Sequence, residues 1–208
     1  MANDKWANPQ KMWDERFAQP DPVYGEGPNS FLREQAAGWP RGAQVLLPGD
    51  GYGRNGRWLA RQGFRVHTVD LSPIGVERSR ALAEAAGLEM KIECADLAKW
   101  NWPVSEYHVV AAIFVHLPPD VRPTIHASML RALRPGGILI LEAFCPAQLQ
   151  YTSGGPKQVD LLYTVDQLRQ DFLGAEVLAL TESVVELEEG PLHSGQGAVA
   201  RARLRRVE

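Results

Sequence analysis

The sequence has 208 residues, 45% hydrophobic and 23% charged, with a formal charge of -3, enough for one sizeable buried core and too balanced to attract polyanions in general. Nucleic acid is therefore disfavoured as a partner, and the polar start 1–11 lacks the apolar run of a signal peptide or membrane span. Cys94 and Cys145 are too few for a disulfide scaffold and both lie in or beside apolar runs typical of buried strands, so reduced thiols in a soluble cytoplasmic protein are expected.

Along the chain, two short helical segments come first, at 9–17 and 29–37, around the irregular stretch 19–28. Strands are expected at 45–48, 65–70, 90–94, 108–114 and 138–143, and helices between them at 57–62, 73–86 and 122–133. Stops such as Gly63, Gly87 and Pro135 separate these pieces. Alternating short aliphatic runs and amphipathic stretches are the rhythm of βαβ units, hence of a mostly parallel sheet. The end differs: 176–186 and 198–207 are β-rich and joined by the turn-forming 190–197, which reads as a hairpin. Within its second arm, Arg201, Arg203 and Arg205 alternate with small or apolar residues and read as a solvated strand face, followed by Arg206. One domain over 1–208 is expected, with a helical lid at 1–40 over a Rossmann-like α/β core at 41–208.

The segment Val45-Leu46-Leu47-Pro48-Gly49-Asp50-Gly51-Tyr52-Gly53-Arg54-Asn55-Gly56 is a buried strand entering a glycine-rich turn and then a helix, a pattern that lets a ligand approach the backbone closely. It admits two cofactors. Gly51, Gly53 and Gly56 match a dinucleotide fingerprint with Asp70 about twenty residues on. Equally, Gly49, Gly51 and Gly53 match a nucleoside-binding loop. Asp96 in Cys94-Ala95-Asp96-Leu97 favours the second reading, because a carboxylate there can accept from an adenine amino group while Leu97 packs on the ring. The tight turn Leu133-Arg134-Pro135-Gly136-Gly137, the terminal hairpin and the lack of residues for a separate substrate domain point the same way.

Taken together, the glycine loop, Asp70-Leu71-Ser72, Ala95-Asp96-Leu97, Phe114-Val115-His116-Leu117-Pro118 and Arg134-Pro135-Gly136-Gly137 resemble the class I S-adenosylmethionine-dependent methyltransferases. More narrowly, Trp13-Asp14-Glu15-Arg16-Phe17, the stretch from Tyr24 to Leu32 and Gly53-Arg54-Asn55 are similar to the small-molecule branch of tellurite-resistance and thiopurine methyltransferases. The resemblance implies a seven-stranded sheet, mostly parallel, with a C-terminal antiparallel hairpin and helices on both faces. It implies S-adenosyl-L-methionine as methyl donor. The acceptor it implies is a small molecule with a soft nucleophile, such as a thiol or chalcogen compound. A nicotinamide-dependent reductase and a non-catalytic nucleoside-binding regulatory module are the alternatives.

Carried over residue by residue, the resemblance puts Gly49, Gly51 and Gly53 along the donor's methionine and ribose, Asp70 on the ribose hydroxyls, and Asp96 with Leu97 on the adenine. Trp13, Asn55, Leu71 and Phe114 complete the donor's surroundings. One departure is plain: the position two before the first glycine, commonly acidic in this family, is Leu47, so a carboxylate reaching the donor's amino group from this loop must be Asp50. At the carboxyl edge of the fourth strand, His116 is placed to accept a proton from the acceptor. Tyr24 joins it as a catalytic candidate, through an aromatic face that stabilises a sulfonium cation or shields the site from water. Phe17, Phe31, Glu142 and Lys157 are expected to face the acceptor. His67, His108, His126 and His193 have no ligand-like spacing with the cysteines or with one another, so no metal site is expected. The balanced charge and polar start likewise predict no nucleic-acid surface and no membrane contact.

Overall fold

The computed structural model describes residues 8–208; most of the polar start discussed above, residues 1–7, lies outside the described residues. Strands β1 (Gln44–Pro48), β2 (Arg65–Asp70), β3 (Lys91–Cys94), β4 (Tyr107–Ile113) and β5 (Leu133–Phe144) run parallel. Beyond them β6 (Ala175–Glu188) and β7 (Ser194–Arg206) form the terminal hairpin, and the sheet order is β3-β2-β1-β4-β5-β7-β6. β7 pairs antiparallel with both β5 and β6, so a single reversed strand sits inside an otherwise parallel sheet.

The middle strands are unbroken apolar runs because both faces are covered. In β1, Leu46 faces one core with Val110, Met129, Leu139 and Tyr163, while Val45 and Leu47 face the other with Leu32, Leu59 and Ile140. Helices α2 (Ser30–Ala36) and α3 (Arg54–Arg61) contribute to the second core, and α5 (Arg122–Ala132) and α6 (Val165–Asp171) to the first. Between β5 and β6 the chain folds into two 3-10 turns, Pro146–Gln150 and Val159–Leu161, before α6. α6 is too short for a helical period to show, and a capping box between Thr164 and Gln167 fixes its start.

Two expectations about side chains are corrected. Cys94 is exposed, because β3 is an edge strand, while Cys145 is buried as expected. The arginine face is only partly solvated. Arg203 and Arg205 are exposed, but Arg201 stands opposite Glu142 on β5, donates from Nε to that carboxylate at 2.5 Å and lies 4.7 Å over the Phe31 ring.

Strands β1, β2, β4 and β5 all end at one edge of the sheet, where the chain crosses from β1 outward to β2 on one side and to β4 on the other, the usual ligand position of open α/β sheets. Helix α1 (Pro9–Phe17) packs across this edge against α4 (Pro73–Ala85). Ser72 caps α4 by accepting from the Gly75 N–H at 3.0 Å, and its own hydroxyl donates to Asp14 of α1. Arg78 of α4 then gathers the carbonyls of Phe17, Gln19 and Pro20 at 3.1, 2.6 and 2.9 Å.

Candidate active site

The glycine loop after β1 is drawn toward β2 by the Gly49 N–H, which donates to the Val69 carbonyl at 2.7 Å. Gly49 and Gly51 adopt φ of 70° and 56°, a region costly for side-chain-bearing residues. Space excludes a side chain as well: a Cβ at Gly51 would lie 2.6 Å from Cζ of Phe17, so the loop touches α1 directly. Asp70 ends β2 and ties the loops together, accepting from Gly51 N–H on Oδ2 at 2.8 Å and from Ser72 N–H on Oδ1 at 2.9 Å. Burial pushes its carboxyl up to about 6.

Asp50 has a different position. Its Oδ2 accepts from the Gly56 N–H at 2.9 Å, but Oδ1 is buried with no hydrogen-bond partner among the described residues. Burial pushes this carboxyl up to about 7. An acid held in that state fits a cationic ligand group, whose arrival would supply the missing partner.

Two cavities meet over this edge and share Trp13, Phe17, Gly49, Phe114 and His116 in their walls. One continues along Asp70, Leu71, Asp96 and Leu97. Asp96 is half-exposed, accepting from the Ala98 N–H at 3.0 Å with Lys99 Nζ 3.5 Å away, and Leu97 is buried. The other cavity continues along Asp50, Gly51, Asn55, Arg16, Tyr24 and His193. Phe114 stands at the junction with φ of 53°, a strained backbone for an aromatic residue. Its N–H donates to the Glu142 carbonyl at 2.7 Å, which pins the strained residue where both cavities meet.

His116 lies at this junction with its ring already engaged. Nδ1 is 2.7 Å from the Leu161 carbonyl, which can only accept, so this nitrogen carries the proton. Nε2 then accepts the Phe144 N–H at 3.4 Å, and the ring stacks on Phe144. Burial lowers His116 to about 4. Tyr24 sits across the cavity, its hydroxyl accepting from Arg16 Nη1 at 2.9 Å, and the Arg16 guanidinium lies 4.8 Å from the Trp13 ring. Among the described residues Arg16 forms no ion pair with a carboxylate.

The structure gathers Trp13, Phe17, Tyr24, Gly49, Asp50, Gly51 and Asn55 around the cavities with Asp70, Leu71, Asp96, Leu97, Phe114 and His116. It leaves four expected residues out of those walls. Gly53 caps α3 instead. Phe31 is in the core beneath Arg201. Glu142 is fully buried and spent on Asn29 Nδ2, at 2.6 Å, and Arg201. Lys157 is exposed, and its loop offers Gly155 to the cavity in its place. These positions correct the expectation that Phe31, Glu142 and Lys157 line the acceptor space.

Sequence reasoning missed a buried polar cluster beside the same space. Glu189 pairs with Arg54 and accepts from Asn29 Nδ2 at 2.7 Å, and His193 Nδ1 lies 3.9 Å from its carboxylate. Burial alone would raise Glu189, but His193 and Arg54 outweigh it and hold the carboxyl at about 2. Arg54 lay inside a motif already singled out; His193 was hidden in a stretch read only as a turn, and Glu189 fell just before it, in no expected element. Among the described residues no group of histidines, cysteines and acids has metal-binding geometry.

Residues 45–137, from β1 through the turn into β5, match the family model described as a methyltransferase domain. That stretch is a little under half of the chain, and its likeness is to a methyltransferase domain. The sarcosine/dimethylglycine N-methyltransferase of Aphanothece halophytica is 33% identical over 79 residues, covering 36% of this chain and 28% of its own length. The chain thus spans well under half of the length of that relative. Two solved structures share the fold of this chain. The N-methyltransferase NodS of Bradyrhizobium japonicum WM9, in complex with S-adenosyl-L-homocysteine, superposes with a TM-score of 0.77 at 14% identity, covering 97% of this chain and 100% of its own. A structure concerned with conversion of a disulfide bond into a thioacetal group during echinomycin biosynthesis gives 0.78 at 22% identity, covering 96% and 93%. The likeness to a methyltransferase domain favours the methyl-donor reading of the glycine loop over the nicotinamide one.

Proposed function

We propose that the chain transfers the methyl group of S-adenosylmethionine to a small-molecule acceptor held in the aromatic cavity between Tyr24, Phe114 and His193, with a thiol or chalcogen nucleophile the preferred class. The observation that carries this reading is the buried, unpartnered Asp50 Oδ1 at the mouth of a glycine cradle that opens toward Asp70, Asp96 and Leu97. Those groups fit the donor. Asp50 would hold its ammonium, Asp70 its ribose, and Asp96 with Leu97 its adenine; once bound it supplies an electrophilic methyl group on a sulfonium.

The protein's own part is binding, orientation and exclusion of water. Trp13, Phe17 and Phe114 wall the junction with aromatic faces, which favour a sulfonium over water. In the acceptor half Arg16 has no carboxylate partner among the described residues, and Glu189 is neutralised by Arg54. That balance stabilises an anionic nucleophile such as a thiolate and disfavours an ammonium, although the curated relative is named for amine substrates. Residues 8–40 act in this reading as a lid on a core at 41–208, and the tellurite-resistance and thiopurine branch is the narrower family assignment. His116 serves here as a fixed wall of the junction, with Tyr24 opposite it.

The test is release of S-adenosylhomocysteine across thiols, chalcogen oxyanions, phenols, amines and small proteins. Fastest turnover with a compact thiol or chalcogen compound is expected. Turnover only with amines, or only with macromolecules, would overturn the acceptor class. Donor binding with no turnover on any acceptor would leave a non-catalytic nucleoside-binding module.

A further inference from the structure

The turn between β6 and β7 is built as a rigid bracket. Glu189 N–H donates to the His193 carbonyl at 2.8 Å, His193 N–H to the Gly190 carbonyl at 3.0 Å, and Leu192 N–H reaches across to the Val23 carbonyl at 3.1 Å. The bracket delivers the His193 ring into the acceptor cavity, where its centroid lies 4.7 Å from Tyr24, 4.4 Å from Phe114 and 5.3 Å from Phe144. Nδ1 is buried, has no hydrogen-bond partner among the described residues, and faces Glu189 Oε2 at 3.9 Å. The opposite edge, Cδ2 and Nε2, runs past Gly154, where a Cβ would sit 2.9 and 3.4 Å from those atoms, next to the cavity-lining Gly155.

We propose that His193, with Glu189 behind it, is the proton-accepting pair of the acceptor cavity. The inference rests on the acceptor reading above and names the group that prepares the nucleophile. A thiol entering the cavity loses its proton to Nε2; the S–H electron pair stays on sulfur as the thiolate, and the imidazolium formed turns Nδ1–H toward the Glu189 carboxylate. The proton leaves to water when the product departs. His116 is not available for this, since its Nδ1–H is held by Leu161 and its Nε2 by Phe144.

The charged and titratable groups facing His193 are consistent with a neutral ring that becomes charged only during turnover. Glu189 is on its own turn, Arg54 on α3, Arg16 on α1, Tyr24 in the segment after α1 and His116 after β4. Burial, first, and the two arginines lower the histidine, while Glu189 opposes them. Such a ring is neutral in the resting protein at neutral pH, and with its proton on Nδ1 its Nε2 is ready to receive another.

The experiment compares the whole protein with His193→Gln and Glu189→Gln, using an alkanethiol of high pKa and an aromatic thiol of low pKa across a pH series. His193→Gln should slow the alkanethiol about 100-fold at neutral pH and leave the aromatic thiol, which arrives ionised, within a few-fold. Glu189→Gln keeps one accepting oxygen for Asn29 or Arg54, removes the charge behind the ring, and should slow the alkanethiol alone, by about tenfold. A second readout needs no turnover: with S-adenosylhomocysteine bound, the wild-type protein should convert bound alkanethiol to thiolate by ultraviolet absorbance, and His193→Gln should not. Equal loss for both thiols, or a thiolate signal that survives in His193→Gln, would overturn the assignment while leaving the acceptor class intact. Absence of any thiol turnover by the wild-type protein would take down the acceptor class, and this proposal with it.

Discussion

Asp50 and Asp70 differ in how much of their charge the protein has already answered. Asp70 has both oxygens engaged by backbone N–H groups, whereas Asp50 leaves Oδ1 bare. Asp70→Ala should weaken donor binding by on the order of 1.5–3 kcal/mol, because a charge-assisted partner for the ribose is lost along with the clasp on Gly51. Calorimetry finding unchanged affinity in the folded mutant would remove the ribose role. For Asp50 the expectation concerns pH. Both carboxyls sit above their usual value of 3.8 in the folded state, Asp70 at about 6 and Asp50 at about 7, because burial disfavours the charged form. The stability they lend is therefore complete at pH below the ordinary carboxylate range and is lost as pH rises through those values. A donor ammonium reverses the preference at Asp50, so donor binding should release a proton below about pH 7 and tighten as pH rises through that range. Titrations in buffers of different ionisation enthalpy would read that proton, and Asp50→Asn should abolish its release. Proton uptake, or release that persists in Asp50→Asn, would place the ammonium elsewhere.

Strands were legible where burial on both faces leaves an unmistakable apolar run, as at Val45 to Leu47, and β2 falls at the expected bounds because Asp70 and the Ser72-Pro73 cap punctuate its end. The glycine loop was legible for a related reason, since its turn demands glycine wherever the chain folds. Side-chain destinations were less legible. Nothing in Arg201-Ala202-Arg203 distinguishes an arginine that pairs with buried Glu142 from one in water; that depends on which strand becomes β7's neighbour. Glu142 and Lys157 were assigned to the acceptor by their place along the chain, but Asn29 and Arg201 claim the first and solvent the second. The fold element that joins these groups carries its own prediction. Glu142→Ala strands Arg201 and Asn29, and should cost about 3 kcal/mol or more of stability by urea unfolding. A loss under 1 kcal/mol, or a Glu142→Gln variant as stable as the wild type, would mean the charge pair contributes little. At the loop, Gly51→Val should abolish donor binding, since the side chain meets both Phe17 and an adverse φ. Adding Phe17→Ala should recover only the steric part, and full affinity in Gly51→Val alone would remove the loop from the site.

The molecule as a whole divides its stability unevenly, and the division bears on function. The sheet is closed on both faces by two apolar cores, while α1 is held to α4 largely by polar contacts: Asp14 with Ser72, and Arg78 with three carbonyls at the end of α1. Only Met12 and Phe17 of α1 are buried. Segments secured this way open at lower free energy than the core they cover, which suits a lid that must admit a donor and retain it. Asp14→Ala combined with Arg78→Ala should therefore leave the urea midpoint nearly unchanged while hydrogen exchange accelerates across 9–20. Donor affinity should fall about tenfold, equivalent to about 1.4 kcal/mol, with the loss appearing in the dissociation rate because the opened lid no longer retains the ligand. The two measurements separate the alternatives. If the midpoint falls as far as binding does, α1 is part of the cooperative core and the lid assignment fails. If exchange accelerates at 9–20 but donor dissociation is unaltered, α1 moves without guarding the site, and Trp13 and Phe17 lose their role in holding the donor.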